Sequence, residues 1–368
     1  MWDRIKRTDK PVVLYGTGNA AERILNELDV RGIRASGIFA SDGFVRDRYF
    51  KGFKVLSYAE AKETFGDMLV LLAFGTHLPS VTAQIERIAE EQELLAPDLP
   101  VAGYLREEAD APLGELLFDR EYYDTHRAEL DETRALLADD RSRLVFDNVI
   151  EYRLSGRIDP LLACHTPEKE IWDLLVNGPD DLHGCKKQGG LSLLDLGAYT
   201  GDTAQLFMDA CGGDCSRIIC VEPDPRNFRK LSEFAAQEQC IEPVNAAAGA
   251  FCGTVRFAKG SGRGAAKRSG KTFAVEQITA DSLLSGGPVD FIKMDLEGAE
   301  AEAIRGAEHT IRTFRPCMLI SAYHRREDLF AIPRKILSIR PDYSLYLRKA
   351  PCIPGWDFSF VFIWQDLR

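Results

Sequence analysis

Three short apolar runs in the second half of the chain each meet an acidic residue at or next to their carboxyl end. The runs and their acidic residues are 193–196 with Asp195, 218–221 with Glu222, and 291–294 with Asp295. Apolar runs of this length bounded by turn residues predict buried strands of a parallel sheet. Ligands of open parallel sheets bind beside the carboxyl ends of the strands. The pattern therefore predicts an α/β unit with a carboxylate-lined site at one edge of its sheet.

The residues at these strand ends favour a ligand with hydroxyl groups and positive charge, because a phosphate site would favour backbone N–H groups with Lys or Arg. S-adenosylmethionine fits, since it has an ammonium, a sulfonium, ribose hydroxyls and no phosphate. Glu222 lies about twenty residues after a glycine turn, the spacing at which an acidic residue binds ribose hydroxyls in βαβ units. The alternative for the turn is an ordinary βα connection with a solvent-facing Asp195. The predicted cofactor-binding residues are Asp195, Gly197, Ala198, Tyr199, Thr200, Gly201, Glu222, Asn245, Ala246 and Asp295.

Other segments of the second half have structural explanations. The small side chains of 245–249 fit the end of a third strand, where adenine contacts and close packing explain them equally well. Asp281 is predicted to cap a helix. Two late runs, 343–347 and 358–364, predict an antiparallel pair joined by a Pro/Gly-rich connection. The Gly/Ser/basic stretch 259–271 predicts a mobile loop.

The first hundred residues also alternate strand and helix patterns and predict a small Rossmann-like unit. Its strands are expected at 12–15, 35–39 and 68–74, with a helix over about 80–92. Gly16 and Gly18 follow the first strand as in a dinucleotide fingerprint, although Ala21 replaces the third glycine. The unit resembles small Rossmann units at the amino terminus of some sugar-modifying enzymes. That resemblance implies a nucleotide or nucleotide sugar, and a unit used only for packing or oligomerisation is the alternative.

A charged helical pattern without strand alternation fills the middle of the chain, and we interpret it as a connector between the two α/β units. The predicted domains are 1–103, 104–188 and 189–368. Several aromatic and imidazole side chains outside the last domain are candidates for an acceptor pocket, although packing is the preferred explanation for each. They are Tyr122, Tyr123, His126 and His165. His77, after the last predicted strand of the first unit, is a candidate ligand contact, with a loop histidine without function as the preferred explanation.

Composition and net charge limit which cellular compartment and which classes of partner are expected. The 368 residues carry a net charge of −11, which disfavours nonspecific attraction to nucleic acid or to an anionic membrane. The nine cysteines show no CxxC pair or zinc-type spacing, which argues against a secreted disulfide framework. Neither an apolar signal core nor a run of about 20 apolar residues is visible. We expect a soluble cytoplasmic protein without membrane insertion that acts on a small-molecule or glycan acceptor, with homo-oligomerisation left open.

Several motifs of the third region, in the right order, resemble the FkbM family of methyltransferases. They are 195–201, 291–300 with Gly306-Ala307 and Arg315-Pro316, and 321–329. The resemblance covers roughly 191–364. It implies a class I methyltransferase sheet, mostly parallel with a late antiparallel strand, and methyl transfer from S-adenosylmethionine to a hydroxyl of a sugar, glycan or related natural product.

Four polar residues remain for catalysis once the cofactor is placed: Lys293, Asp295, Glu297 and His324. A neutral hydroxyl benefits from a base, and His324 is predicted to be that base because an ordinary histidine titrates near neutral pH. Asp295 is the competing base, and Glu297 is expected to orient the acceptor. Lys293 has an ion pair with a helix carboxylate as its structural alternative.

Two further questions stay open at this point. Asp295, Glu297 and Glu300 offer oxygen ligands of the kind Mg²⁺ accepts, although a metal-free mechanism is preferred. The rival functions are a sugar-modifying enzyme that uses a nucleotide or nucleotide sugar in the first unit, and a noncatalytic cofactor-binding scaffold in glycan assembly.

Overall fold

The computed structural model of the chain describes residues 1–41, 43, 45, 48–99, 116–179, 190–258 and 272–364. Both predicted domain boundaries, after residue 103 and after residue 188, lie outside the described residues, as does the predicted loop 259–271. In the described part of the chain, no helix combines the length and the apolar character needed to cross a membrane.

The first unit is a six-stranded sheet flanked by helices. Its elements are α1 (Trp2–Lys6), β1 (Val12–Tyr15), α2 (Asn19–Val30), β2 (Gly37–Phe39), β3 (Tyr49–Phe50), β4 (Phe53–Leu56), α3 (Tyr58–Phe65), β5 (Leu69–Leu72), α4 (Pro79–Glu91) and β6 (Glu93–Leu95). The strand order is β3-β4-β2-β1-β5-β6, and all neighbours are parallel except β3 and β4. Every side chain of β1 and β5 is buried, which explains their continuous apolar sequences. The three predicted strands and the helix at 80–92 are confirmed, whereas β3, β4 and β6 were not predicted.

The middle of the chain is helical, as predicted. It contains α5 (Arg120–Thr125), α6 (Arg127–Leu136), α7 (Asp140–Ser155), α8 (Asp159–Leu162) and α9 (Glu168–Asn177). The carboxylates of Asp119 and Asp139 cap α5 and α7 by accepting hydrogen bonds from the backbone N–H groups of Tyr122 and Ser142.

The last unit is built on a seven-stranded sheet. Its elements are β7 (Leu191–Leu196), α10 (Asp202–Ala210), β8 (Cys215–Val221), α11 (Pro225–Ala235), β9 (Ile241–Val244), β10 (Ala247–Ala248), β11 (Gly253–Ala258), β12 (Thr272–Ile278), α12 (Ala280–Leu283), β13 (Phe291–Met294), α13 (Glu300–Gly306), α14 (Glu308–Phe314), β14 (Cys317–Ser321), α15 (Asp328–Ile339), β15 (Tyr343–Lys349) and β16 (Phe358–Trp364). The order is β15-β16-β14-β13-β7-β8-β9, and β16 runs antiparallel to both neighbours while the other pairs are parallel. This is the predicted mostly parallel sheet with a late antiparallel strand. Strands β10, β12 and β11 form a separate small sheet that the sequence pattern did not reveal.

The three parts of the chain share one apolar core that includes Val70 of β5, Phe146 of α7 and Phe360 of β16. Polar contacts tie the same parts together. Thr76, after β5, exchanges two backbone hydrogen bonds with Ile353 in the β15–β16 connection, at 2.8 and 3.0 Å. The first unit and the connector therefore pack against the edge of the last unit.

Candidate functional site

The turn after β7 folds back onto the neighbouring strand end. Gly197 has a φ of +86°, and a Cβ at this position would overlap the carbonyl oxygen of Asp295. The N–H groups of Gly197 and Ala198 both donate to the carbonyl oxygen of Val221, at 2.9 and 3.0 Å. Tyr199 also has a positive φ, +48°, which is uncommon for a residue with a side chain. Glycine is therefore required at position 197, because the turn lies directly against the backbone of β13.

Lys293 holds this turn from behind. Its ammonium donates to the carbonyl oxygen of Gly197 at 2.8 Å and lies 3.2 Å from Oδ1 of Asp195. The Lys293–Asp195 contact is an ion pair without an aligned hydrogen bond. Burial raises the pKa of the fully buried Asp195 to about 6, although Lys293 opposes that rise. The ion-pair partner of Lys293 is thus a strand carboxylate, where the sequence suggested a helix carboxylate, and Asp195 stabilises the turn from inside the sheet.

Glu222 ends β8 beside the same turn, as predicted. Its Oε2 accepts a hydrogen bond from the N–H of Tyr199 at 3.0 Å, and its Oε1 accepts one from the N–H of Asp224 at 2.9 Å. The side chain is only 5% exposed, and this burial raises its pKa to about 7 against three hydrogen bonds that lower it. Asn245 donates to the carbonyl oxygen of Glu222 at 2.8 Å, which fixes the backbone that carries the carboxylate. Its neighbour Ala246 is buried in the core.

The prediction for Asp281 is wrong in its detail. Thr279, not Asp281, caps the short helix α12, since its side chain accepts the N–H of Ser282. Asp281 instead accepts from the N–H groups of His309 and Thr310, at 3.0 and 2.9 Å, in the first turn of α14. It caps a different helix, a contact that only the tertiary structure creates.

A second group of side chains lies where β13 and β14 end side by side. Nδ1 of His324 forms a hydrogen bond with Oε1 of Glu300 at 2.8 Å. The other ring nitrogen, Nε2, lies 3.3 Å from Asp295 Oδ1 and 3.7 Å from Glu297 Oε2. Tyr323 donates its hydroxyl to Asp295 Oδ1 at 3.0 Å. Asp295, Glu300 and His324 offer candidate metal-ligand atoms that all lie within 4.8 Å of one another. The structure thus brings together three of the four predicted catalytic residues and separates Lys293 from them.

The surroundings of His324 differ from the expected ones. Its side chain is fully buried, whereas the side chain of Asp295 is 30% exposed. Burial lowers the pKa of His324, but the carboxylates of Glu300, Asp295 and Glu297 outweigh it and raise the pKa to about 9. An imidazole of ordinary pKa that is open to an acceptor was expected. This expectation is wrong because three carboxylates surround the ring and shield it, and Asp295 is the member of the group that faces outward.

Two contacts of this group were missed. The sequence indicated Glu300 only as a candidate metal ligand, yet its Oε1 also accepts the N–H of Leu296 at 2.7 Å. Arg325 donates from Nε to the carbonyl oxygen of Gly298 at 2.6 Å, which joins the two strand-end loops. Glu297 has a φ of +53°, so the first of these loops turns sharply at a residue with a side chain. The one available signal was that Glu300 follows another carboxylate, Glu297, by three residues at the start of a helix.

The aromatic candidates of the connector contact the segment that follows β14 and other residues of the connector. The guanidinium of Arg326 lies 4.2 Å from the ring centre of Tyr122, and His126 stacks on Phe330 at 5.1 Å. Tyr123 contacts Phe118 at 6.5 Å between ring centres. These are packing contacts, as preferred from the sequence.

The remaining candidates lie away from this loop. The backbone of His165 pairs with that of Lys349. Burial lowers the pKa of the His165 imidazole to about 4. His77 follows Thr76 in the segment paired with the β15–β16 connection. In the first unit, Gly16 has a φ of +121° against the ring of Phe74, and Gly18 begins α2 with open space where a Cβ would lie.

Comparison with known proteins identifies the last unit. The family model of the methyltransferase FkbM domain matches residues 195–346, a span that contains the glycine turn, Glu222 and the His324 group. Residues 195–346 therefore resemble an FkbM methyltransferase domain, and this match supports methyl transfer as the activity of the last unit.

One solved structure supports this fold over most of the chain. The crystal structure of methyltransferase FkbM from Methylobacillus flagellatus KT is similar over 98% of this chain and 92% of its own, with 20% identity and a TM-score of 0.71. A weaker similarity, with a TM-score of 0.33 and 18% identity, is found to fibrillarin from Aeropyrum pernix in complex with S-adenosyl-L-methionine, over 52% of this chain and 73% of that one. No curated protein matches the chain. At 20% identity the first similarity describes the fold alone, and it includes the amino-terminal unit and the connector.

Proposed function

We propose that the protein transfers a methyl group from S-adenosylmethionine to a hydroxyl of a sugar, a glycan or a related natural product. One observation supports this proposal most strongly. The turn predicted to hold the cofactor touches the backbone of Asp295, and the side chain of Asp295 is the exposed member of the carboxylate group. A methyl donor held by the turn would therefore lie next to a group suited to an acceptor hydroxyl.

The residues present fit S-adenosylmethionine. Glu222 keeps a carboxylate at the strand end although burial disfavours its charge, which is the arrangement expected of a group that accepts hydrogen bonds from ribose hydroxyls. The glycine turn at 197–201 allows close approach of backbone to ligand. Lys293 is a positioning residue in this proposal, because its ammonium is already held by Gly197 and Asp195. When bound, the cofactor supplies a methyl carbon already activated by its sulfonium.

With the cofactor bound, the acceptor oxygen would form a bond to its methyl carbon as the carbon–sulfur bond breaks and the electron pair goes to sulfur. The exposed carboxylate of Asp295 would accept the hydroxyl proton. Tyr323 donates to Oδ1 of the same carboxylate and fixes its orientation. In-line positioning contributes most of the acceleration in such a displacement, and proton removal adds typically 10²–10⁴-fold.

The cofactor half of the proposal is tested by calorimetry with S-adenosylmethionine and the full chain. Glu222→Ala should weaken binding by about 1.5–3 kcal/mol, the scale for a hydrogen bond to a charged group. Glu242→Gln is the matched control, because Glu242 lies on the neighbouring strand β9 with its carboxylate on Arg217 at the surface. Wild-type affinity in the Glu222 variant would contradict the ribose assignment.

The acceptor half is tested by incubating the protein and S-adenosylmethionine with a panel of sugars, nucleotide sugars and glycans. Mass spectrometry detects S-adenosylhomocysteine and the methylated product, and NMR locates the methyl group. An O-methyl product supports the proposal, and methylation at nitrogen or carbon would overturn it.

A further inference from the structure

The buried imidazole of His324 points one nitrogen into a group of carboxylates without a matching hydrogen bond. Nε2 has no hydrogen-bond partner among the described residues, yet it lies 3.3 Å from Asp295 Oδ1 and 3.7 Å from Glu297 Oε2. A fully buried ring nitrogen left in this state needs an explanation. The distances to the two carboxylates supply one.

Two ligands about 2.1 Å from a cation are about 3.4 Å apart when they subtend a tetrahedral angle, and about 3.0 Å apart at a right angle. The distance from Nε2 to Asp295 Oδ1, 3.3 Å, fits the tetrahedral value, whereas the distance to Glu297 Oε2, 3.7 Å, is longer, so Glu297 completes the ligand set only after a small shift of its side chain. We propose that Asp295, Glu297 and the Nε2 atom of His324 bind a divalent first-row cation such as Mn²⁺, with Glu300 orienting the imidazole.

The other side of the ring supports this assignment. Glu300 is 1% exposed, and its Oε1 lies 2.8 Å from Nδ1 of His324 and accepts the N–H of Leu296 at 2.7 Å. A carboxylate on Nδ1 selects the tautomer whose Nε2 lone pair is available to a metal, an arrangement common behind metal-bound histidines. Glu300 therefore acts behind the imidazole, whereas the sequence placed it in a set of oxygen ligands.

The change of ligand set also changes the expected metal. A site of three carboxylates suits Mg²⁺, but an imidazole together with carboxylates favours Mn²⁺, Fe²⁺ or Zn²⁺. The remaining coordination positions would lie on the side of Asp295, the exposed member of the group. A cation there would polarise the acceptor hydroxyl and favour loss of its proton. This last step rests on the proposed function, whereas metal binding itself does not.

The experiment measures binding of Mn²⁺ directly, by calorimetry and by electron paramagnetic resonance, on the full chain after treatment with chelator and without cofactor or acceptor. Wild type should bind one Mn²⁺. His324→Gln and Asp295→Asn should weaken binding about 100-fold or more, and Glu300→Gln about 10–100-fold, the range for loss of an orienting partner. Glu302→Gln should bind as wild type, because Glu302 lies on the same helix but pairs with Arg305 at the surface.

Circular dichroism checks that each variant folds, and Glu297→Gln replaces His324→Gln if the latter does not. The proposal is overturned if wild type shows no saturable binding of Mn²⁺ or Zn²⁺ up to about 1 mM. It is also overturned if His324→Gln or Glu297→Gln folds and binds as tightly as wild type. Calorimetry with S-adenosylmethionine in the presence of chelator separates the two proposals, since a protein that binds the cofactor but no metal keeps the proposed function.

Discussion

Replacing Glu222 by Gln should weaken cofactor binding and, at the same time, make the folded protein less sensitive to high pH. The carboxyl is 5% exposed, and burial raises its pKa from 4.5 to about 7. A carboxyl whose pKa is raised by folding favours the folded state fully below about pH 4.5, and this contribution is lost as the pH rises through about 7. Glutamine has no proton to lose, so the variant lacks this dependence.

The size of the effect follows from the two pKa values. Their difference of about 2.5, at 1.36 kcal/mol for each unit of pKa, corresponds to about 3 kcal/mol between the acidic and alkaline limits. Between pH 5 and pH 8 the wild type should lose about 2–3 kcal/mol of unfolding free energy relative to Glu222→Gln. The glutamine also loses one hydrogen bond, because its amide nitrogen cannot accept from the N–H of Tyr199 or Asp224. That loss is independent of pH and cancels when the two pH values are compared.

The assay is denaturant unfolding of both proteins at pH 5 and pH 8, followed by circular dichroism, with calorimetric titration of S-adenosylmethionine at pH 8. Glu242→Gln is the control, since Arg217 lowers the pKa of that carboxyl below 4.5; its titration lies below both assay pH values, and the variant should keep the pH dependence of the wild type. If the unfolding free energies of wild type and Glu222→Gln change equally between pH 5 and pH 8, the claim that the end of β8 carries a buried ionised carboxylate is refuted. Unchanged affinity for the cofactor would refute its role at the ribose.

Three further predictions concern other parts of the molecule. Gly197→Ala should abolish cofactor binding and lower the melting temperature, because its Cβ overlaps the carbonyl oxygen of Asp295, and a folded variant that binds normally would contradict the description of the turn. Asp295→Asn should lower the single-turnover rate by about 10²-fold or more with cofactor affinity nearly intact. His324→Ala should lower the same rate through its effect on Asp295. A normal rate in the asparagine variant would exclude Asp295 as the proton acceptor. Gly18→Asp in the first unit should leave methyl transfer unchanged, because the position has open space and lies outside the FkbM domain, and a folded variant that no longer consumes S-adenosylmethionine would show that the first unit takes part.

The parts of the fold that follow from local pattern were predicted, and those that depend on tertiary pairing were not. Strands β1 and β5 are continuous apolar runs, so their position follows from the sequence. The two residues of β10 are Ala247 and Ala248, which become a strand only by pairing with β12. A strand of two alanines has no periodicity to detect.

The same distinction between local pattern and tertiary pairing applies to the residues of the site. Parallel strands bring their carboxyl ends to one edge, which is why Glu222 and Asp295 could be placed there from their spacing alone. The Lys293–Asp195 ion pair required the register of β13 against β7, in which these two residues are opposite each other. The burial of His324 required the path of the loop through Glu297 and the direction of α13, neither of which the sequence specifies.

The side chains at the turn after β7 and those around His324 both place carboxylates at this edge of the sheet. Burial raises the pKa of Asp195 to about 6 and of Glu222 to about 7, so the folded protein holds both carboxylates ionised at alkaline pH only at a cost in stability. The loop after β13 adds Asp295, Glu297 and Glu300 around a single imidazole. A ligand that brings an ammonium, a sulfonium and hydroxyl donors to this edge lowers that cost, whereas an anionic ligand raises it. Under the proposed function, this sheet edge would therefore select its ligand by charge.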